Sequence, residues 1–379
     1  MIDLLKKVIK HLLQKRIDVV CNKKIKRIYQ NINPVYLSDE TVNNYRILWG
    51  KFKKKPSIKF LEAMVSISGI ESSQYVPENI HYGIIEPRLN NKLYALTYND
   101  KNFFERFLSD YKTLFPHTIL RGINGKLFDN DFNKLSANDA MSVIDKLNEN
   151  DELIIKPAVE TGGGSNVRLI VKTSKGFAVN DSLLSRRELI GFFETSYHNN
   201  FVLQYKLIEC PFFIDFNKDS LNTVRMYCYR SVLNEEIHPL HAYIRFGQPG
   251  SLVDSSSQGG RTCGVKLNGM LNDFAIGKYG EKYSDLPVIQ KHKGNLVPRF
   301  DDMKNLAQSI AKHYYYHRLL GFDFCVDKNN SIRLMEVNTM NIGIINQQMN
   351  TGPLFNKFTE EIIEFCLSKK KSIVLDFYA

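Results

Sequence analysis

Gly321-Phe322-Asp323-Phe324-Cys325-Val326-Asp327-Lys328-Asn329-Asn330-Ser331-Ile332-Arg333-Leu334-Met335-Glu336-Val337-Asn338 is the stretch whose pattern decides the fold. Two alternating runs flank Asn329-Asn330, and asparagine tolerates the positive φ of a two-residue hairpin turn. With those two residues as the loop, Lys328 faces Ser331 and Asp323 falls opposite Glu336. Opposed residues of an antiparallel pair hold their Cβ atoms about 4.5 to 5.5 Å apart, and residues two apart on a strand share a face. Asp323, Glu336 and Asn338 therefore converge. Two facing carboxylates repel unless a cation or a proton lies between them, so the hairpin asks for a hard divalent metal with oxygen ligands. Magnesium, which keeps several waters and takes further oxygens from nucleotide phosphates, suits it better than calcium or zinc. The plain alternative is an edge hairpin with solvated acids. Just upstream, the spacing predicts a helix over 301–320 that stops at Gly321.

Working outward, Leu153-Ile154-Ile155 reads as a strand that delivers Lys156-Pro157 to the loop Glu160-Thr161-Gly162-Gly163-Gly164-Ser165-Asn166, after which 167–171 is strand-like again. No Gly-Lys-Ser/Thr opens a helix here, so this is neither a P-loop nor a dinucleotide fingerprint. A glycine run between strands either brings backbone N–H groups close to phosphate oxygens, with Lys156 as a point charge, or is a flexible hairpin tip. Earlier, 82–98 breaks into short apolar pieces with turn residues, and Asn99 or Asp100 caps a helix running from Lys101 to about Leu114. Ser185-Arg186-Arg187-Glu188 is a capping box, and Phe201-Val202-Leu203 forms a strand ending at Gln204. Arg225 lies in an alternating strand after Asn222-Thr223, with Arg245 and Arg261 as further cations. Each either neutralises phosphate charge or makes an ordinary salt bridge.

The chain has 379 residues, 43% apolar and 24% charged, enough for two or three packed units. No run of eighteen apolar residues and no secretory signal is present, which sets the expectation of a cytoplasmic protein. Six cysteines without metal-ligand spacing read as reduced, buried thiols. The net charge of +11 is concentrated at the start, where nine lysines and arginines face two aspartates in the first thirty residues. Without interleaved aromatics or a recognition motif, nucleic acid is not the expected partner. Ile2, Leu5, Ile9, Leu12, Leu13, Ile17 and Val20 recur at helical spacing with a basic opposite face. Such a helix either docks on the body of the protein or makes weak peripheral contact with the inner face of an anionic membrane. Lys51, Lys53, Lys54 and Lys55 before Pro56 read as a solvated loop.

Lys101, Lys156, the glycine loop and Asp323 with Glu336-Val337-Asn338 together resemble the ATP-grasp superfamily. Ser220-Leu221-Asn222-Thr223-Val224-Arg225 and the stretch Leu252-Val253-Asp254-Ser255-Ser256-Ser257-Gln258-Gly259-Gly260 are similar to its sugar-transfer-associated group, found among polysaccharide biosynthesis proteins. The resemblance covers about 82–366. It implies an α+β class, with two α+β subdomains clamping ATP; the residues before it, outside the resemblance, read as an N-terminal helical and α/β extension. The expected division is an extension over 1–81, a first part over 82–150, a small subdomain with the flap over 151–205 and a large subdomain over 206–379. The resemblance implies that Lys101 and Lys156 hold ATP phosphates beneath a flap of Gly162, Gly163, Gly164 and Ser165. Gln204, Tyr205, Lys206 and Leu207 would border adenine, Glu209 the ribose, and Asp323, Glu336 and Asn338 would bind Mg2+. Arg225 and Arg261, read from their own positions, are the candidate catalytic cations. The implied reaction passes the γ-phosphoryl group of ATP to a carboxylate, and an amine such as that of an amino acid attacks the acyl phosphate. A carboxylate-bearing glycan or sugar-nucleotide precursor for capsule or another surface polysaccharide is the implied partner. The alternatives are phosphorylation of a sugar hydroxyl and a non-catalytic nucleotide-binding scaffold.

Overall fold

The computed structural model describes residues 2–159, 164–180 and 182–369, with side chains for all of these except 2–7 and 10. Among the described residues, the strands form two antiparallel sheets. The first has the order β3-β2-β1-β8-β4-β5-β6-β7. It contains β1 (Thr118–Ile123), β2 (Lys126–Phe128), β3 (Lys134–Leu135), β4 (Glu152–Pro157), β5 (Arg168–Thr173), β6 (Gly176–Val179), β7 (Ser182–Leu184) and β8 (Phe201–Tyr205). The second has the order β13-β12-β11-β10-β9-β14-β15. Its strands are β9 (Thr223–Arg230), β10 (Ile237–Phe246), β11 (Arg261–Val265), β12 (Leu271–Ile276), β13 (Lys282–Tyr283), β14 (Leu319–Val326) and β15 (Ile332–Asn338).

Period-two patterning decides which side chains each sheet offers. In the first sheet Leu153, Ile155, Ile170 and Leu203 meet Ile144, Leu189 and Phe193 from the helices Ala137–Asp145 and Arg186–Tyr197. Ile154, Lys156 and Gln204, of opposite parity, line a cleft on the other side. The helix Arg186–Tyr197 starts on the Ser185/Glu188 capping box anticipated from sequence. In the second sheet Val224, Met226, Ala242, Ile244, Phe322 and Phe324 pack on the helix Phe300–Ala311. Thr223, Arg225, Tyr243, Arg245 and Asp323 point the other way, into the same cleft. Each fully buried side chain of the apolar set contributes about 1.5 to 3 kcal/mol, enough to fix the register and with it the polar face.

The acidic hairpin forms with Asp323 opposite Glu336, by a route that differs from the simplest one. The loop is Lys328-Asn329-Asn330, closed by Asp327 N–H donating to the Ser331 carbonyl at 2.9 Å, with Asn330 at φ 59°. A bulge between Asp323 and Phe324 then restores the register. Buried parity in β15 switches accordingly, from Ile332 and Leu334 to Val337, so Met335 is the extra residue and lines the cleft beside Glu336.

Two expectations about local structure are corrected. The helix over 301–320 ends at Ala311, and Gly321 lies within β14 between Tyr227 and Asn338. There a Cβ would stand 3.4 Å from Cδ of Arg225, so the glycine keeps room for that side chain instead of ending a helix. Residues 82–98 are largely helical, with a π-turn at His81–Ile85. The boundary at 150 also runs through one sheet, because β1 pairs directly with β8.

The N-terminal extension is built from α1 (Ile2–Gln30), α2 (Asp39–Gly50) and α3 (Ile58–Ser68). Ser38 and Ser57 cap α2 and α3, and Gly69 ends α3 at φ 74°. Phe60, Leu61, Met64 and Ile67 of α3 share one core with Ile25 and Ile28 of α1 and with Tyr229, Ile345, Met349 and Ile363 of the C-terminal half. The expected apolar stripe of α1 is docked only in part, with Ile9, Leu13 and Ile17 half-buried. Cys21, Ile25 and Ile28 are buried, whereas Leu12 is 59% and Val20 58% exposed. All six cysteines are buried and free. Among the described residues no helix is long and apolar enough to cross a membrane.

Candidate active site

A cleft of about 590 Å³ separates the polar faces of the two sheets. Cross-strand pairing sets a single row of side chains along its floor. Tyr243 of β10 faces Arg225 of β9, Arg225 faces Asp323 of β14, and Asp323 faces Glu336 of β15. Four residues distant in sequence thus stand side by side because four strands are in register.

The row is held by ion pairs. Arg225 grips Asp323 with two nitrogens, Nε to Oδ1 and Nη2 to Oδ2 at 2.6 Å, and Arg245 Nη1 reaches Oδ2 at 3.1 Å. Arg245 also meets Asp254 at 3.0 Å, and Asp254 accepts from the Thr223 hydroxyl at 2.5 Å. Burial pushes the Asp323 carboxyl up, but Arg225 and Arg245 outweigh it and hold the group below its ordinary range. At Asp254 burial wins over Arg245 and the carboxyl is raised. Two guanidinium groups and two carboxylates form a neutral cradle.

At the other end, Asp100 caps the helix Lys101–Phe107 by accepting from the N–H groups of Asn102 and Phe103 at 2.8 and 3.2 Å. Lys101 N–H donates to the Ala158 carbonyl at 2.8 Å, tying the helix start to the end of β4. Both anticipated lysines consequently line the cleft, with Lys101 Nζ 4.0 Å from Glu336 Oε1. Burial and the neighbouring Lys101 lower the Lys156 ammonium to about 8.

That value makes a prediction with a definite sign. A phosphate binds the charged lysine, so below about pH 8 the ATP affinity is insensitive to this group. Above it the affinity should fall, by up to about tenfold per pH unit until the bound-state value is reached. Calorimetry between about pH 7 and pH 9.5, with Lys156→Met as the flat control, checks it. An affinity that holds constant across that range in the wild type contradicts it.

Other anticipated residues differ in how they stand. Gly162 and Gly163 lie outside the described residues. Gly164, at φ 74°, approaches the 252–257 loop so closely that a Cβ would meet Val253 Cγ1 at 2.9 Å, and Ser165 lines the cleft beside it. Tyr205, Lys206 and Leu207 follow β8 along the cleft wall. The Gln204 amide is occupied, donating to Glu105 and to Thr118 at 2.9 and 3.0 Å, and Lys206 Nζ pairs with Glu152 at 2.8 Å. Glu209, the residue expected beside the ribose, also lines the cleft. Each of its oxygens already accepts from Asn222, at 2.9 and 2.8 Å, and burial raises its carboxyl to about 8. Arg261 stands apart from the others: its guanidinium covers the Tyr283 ring at 4.6 Å and does not line the cleft. Arg245 takes the place intended for it. Tyr243 was missed, although it and Arg245 share one face of a visibly alternating run, and Asp254 was read only as part of the 252–260 stretch, with no role of its own.

Among the described residues no group of three or more His, Cys, Asp or Glu side chains is placed to hold a metal. The hard-oxygen set nevertheless fits magnesium, which needs only one or two protein oxygens when phosphates and waters supply the rest. Glu336 presents a carboxylate, and Asn338 donates its amide nitrogen to the Gly321 carbonyl at 3.1 Å, which leaves Oδ1 to coordinate. Asp323 is the exception, since both of its oxygens are engaged by arginines.

A cleft between two antiparallel sheets, with lysines on one wall and a Glu-x-Asn strand on the other, defines an ATP-grasp protein. The family model described as sugar-transfer associated ATP-grasp matches residues 78–362, and the chain belongs to that family. Solved structures with a similar fold include the biotin carboxylase domain of 2-oxoglutarate carboxylase from Hydrogenobacter thermophilus, determined with MgADP and bicarbonate. It is 12% identical, with 74% of this chain and 48% of that one covered, at a TM-score of 0.40. N5-carboxyaminoimidazole synthetase from Staphylococcus aureus, complexed with ADP, is 11% identical over 69% and 52% of the two chains, TM-score 0.39. D-alanine–D-alanine ligase from Bacillus anthracis is 16% identical over 73% and 70%, TM-score 0.39. The chain spans about half the length of the first two. No curated protein matches the sequence.

Proposed function

We propose that the protein is an Mg-ATP-dependent ligase that activates a carboxylate as an acyl phosphate and joins it to an amine. The observation that carries this reading is the row Tyr243–Arg225–Asp323–Glu336, which connects the phosphate end of one cleft to a second end lined by the ion-paired Arg225 and Arg245. A phosphoryl group leaving ATP beside Lys101, Lys156 and Glu336 has an acceptor position next to Arg225 and Arg245.

In this scheme Lys101 and Lys156 hold the phosphates, and Ile154, Tyr205, Leu207 and Met335 supply an apolar wall for the base. Glu336 and Asn338 would hold magnesium, with Asp323 adjoining. Bound there, the metal neutralises charge on the phosphates. The acceptor carboxylate oxygen bonds to the γ-phosphorus as ADP leaves. The amine nitrogen then bonds to the acyl carbon, inorganic phosphate departs and the nitrogen loses a proton. Arg225 and Arg245 orient the acyl phosphate and meet its charge, where fixed donors act with no reorganisation cost. The substrates we propose are a uronic-acid-type glycan precursor as carboxylate and an amino acid as amine, in surface-polysaccharide assembly.

Product analysis of pooled uronic-acid sugar nucleotides and amino acids, incubated with Mg-ATP, tests the reading. ADP and phosphate should appear together only when carboxylate and amine are both present. A stable product heavier by one phosphoryl group and lacking an amide would instead establish a sugar kinase.

A further inference from the structure

The N-terminal helix carries a surface that neither the fold nor the cleft uses. The 29 residues of α1 extend roughly 43 Å at 1.5 Å per residue. Among the described side chains the helix reaches the body mainly through one side, with Cys21, Ile25 and Ile28 buried, and Arg27 also donates to the Tyr279 hydroxyl at 3.2 Å. On the same side Gln14 donates to the Asn79 carbonyl at 3.3 Å, and Lys24 pairs with Glu78 at 2.8 Å. At about 100° per residue, Val8, Leu12, Lys15, Arg16, Val19, Lys23 and Lys26 fall within an arc of about 100° on the opposite side. Val8 is 48%, Leu12 59% and Val19 46% exposed, and all four cations are exposed.

Among the described side chains no carboxylate interrupts this outer face. The one described acid of α1, Asp18, is turned toward the body and held by Lys54 at 3.1 Å and by Asn79 at 2.8 Å. The Lys54 contact also brings the 51–55 loop against α1, adding the exposed Lys51, Lys53 and Lys55 nearby. This helix lies outside the segment that matches the family model, so the family's shared chemistry does not account for it.

We propose that this face of α1 docks on an anionic lipid surface, lying in the interface with Val8, Leu12 and Val19 inserted and Lys15, Arg16, Lys23 and Lys26 among the headgroups. The interleaving of apolar and cationic side chains selects the occupant. Valine and leucine between cations gain free energy only by entering an apolar phase, which nucleic acid does not offer. A two-fold contact between copies would set like charges against each other. Crossing the bilayer is excluded for this helix by its charge and hydropathy. Docked in this way, α1 carries the cleft to the membrane surface, where the proposed glycan substrate would be met if it is lipid-borne. The proposal does not depend on the ligase reading.

Flotation of the full chain with phosphatidylcholine vesicles, with and without phosphatidylserine, tests it. The protein should float with the anionic vesicles, remain behind with the neutral ones, and lose binding at high salt. The variant Lys15→Ser/Arg16→Ser/Lys23→Ser/Lys26→Ser should lower the partition by on the order of 100-fold or more. Leu12→Ser/Val19→Ser should lower it by roughly tenfold with every charge retained. All six positions are solvent-facing, so thermal unfolding and ATP binding stay at wild-type values in both variants and report that the fold is intact. Flotation with neither vesicle, equal flotation with both, or an undiminished partition after removal of the four cations overturns the proposal. So does a dimer in sedimentation that Leu12→Ser dissociates, or capture of an oligonucleotide in place of vesicles.

Discussion

Glu336→Gln is expected to lower turnover by about 100-fold to 1,000-fold while the protein keeps its fold and its nucleotide affinity in the absence of magnesium. The substitution keeps the shape and removes one charge, at a partly buried position whose carboxylate stands 4.0 Å from Lys101 Nζ. What it removes is the one carboxylate of the hairpin that no arginine occupies. Magnesium should therefore tighten ATP binding in the wild type and much less in the variant. Calorimetry with and without the metal, alongside an ADP-release assay, measures both effects. Equal ATP affinity with and without magnesium in the wild type, or wild-type turnover in the variant, would remove Glu336 from the site.

Arg225→Met should cost about 3 kcal/mol of folding stability, because it leaves Asp323 buried with only Arg245 for a partner. That cost exceeds what an exposed ion pair is worth, about 0 to 1 kcal/mol, and the difference lies in burial. Asp323 is 3% exposed. Linkage fixes the direction with pH. Arginine holds the native Asp323 carboxyl below its ordinary range, so this stability is present above about pH 4 and is lost as pH falls through the native value. The gap between wild type and variant in urea unfolding should therefore narrow on acidification. A gap under about 0.5 kcal/mol at neutral pH, or one that widens in acid, would show that the pair does not carry this energy.

The hairpin shows how a correct inference can come from an incomplete account. Alternation gave the Asp323–Glu336 pair, but the real loop is one residue longer and a bulge at Met335 compensates, so two one-residue departures cancel. No local pattern announces such a bulge, because Met335 is an ordinary apolar residue in an apolar run. Lys101 and Lys156 were legible since each sits at a helix start or a strand end with its own local signal. Asp323 as a simple metal ligand was not, because its partners come from β9, 98 residues earlier in the chain, and β10, 78 residues earlier. Arg245 and Arg261 look alike in sequence; only strand register sends one into the cleft and the other onto Tyr283. Glu209 follows the hinge as expected, yet Asn222 claims it, and a side-chain clamp between separate loops leaves no trace in either one. For α1, spacing found the helix but only part of its docked face, since apolar residues are spread over most of its circumference.

The most direct test of the acyl phosphate is the fate of a carboxylate oxygen. With a uronic-acid substrate labelled in its carboxyl group with heavy oxygen, an amine and Mg-ATP, mass spectrometry of the released phosphate reports which bond broke. The account predicts one heavy oxygen in the phosphate and one fewer in the amide product. Phosphate without label, with both heavy oxygens retained in the sugar, would contradict it.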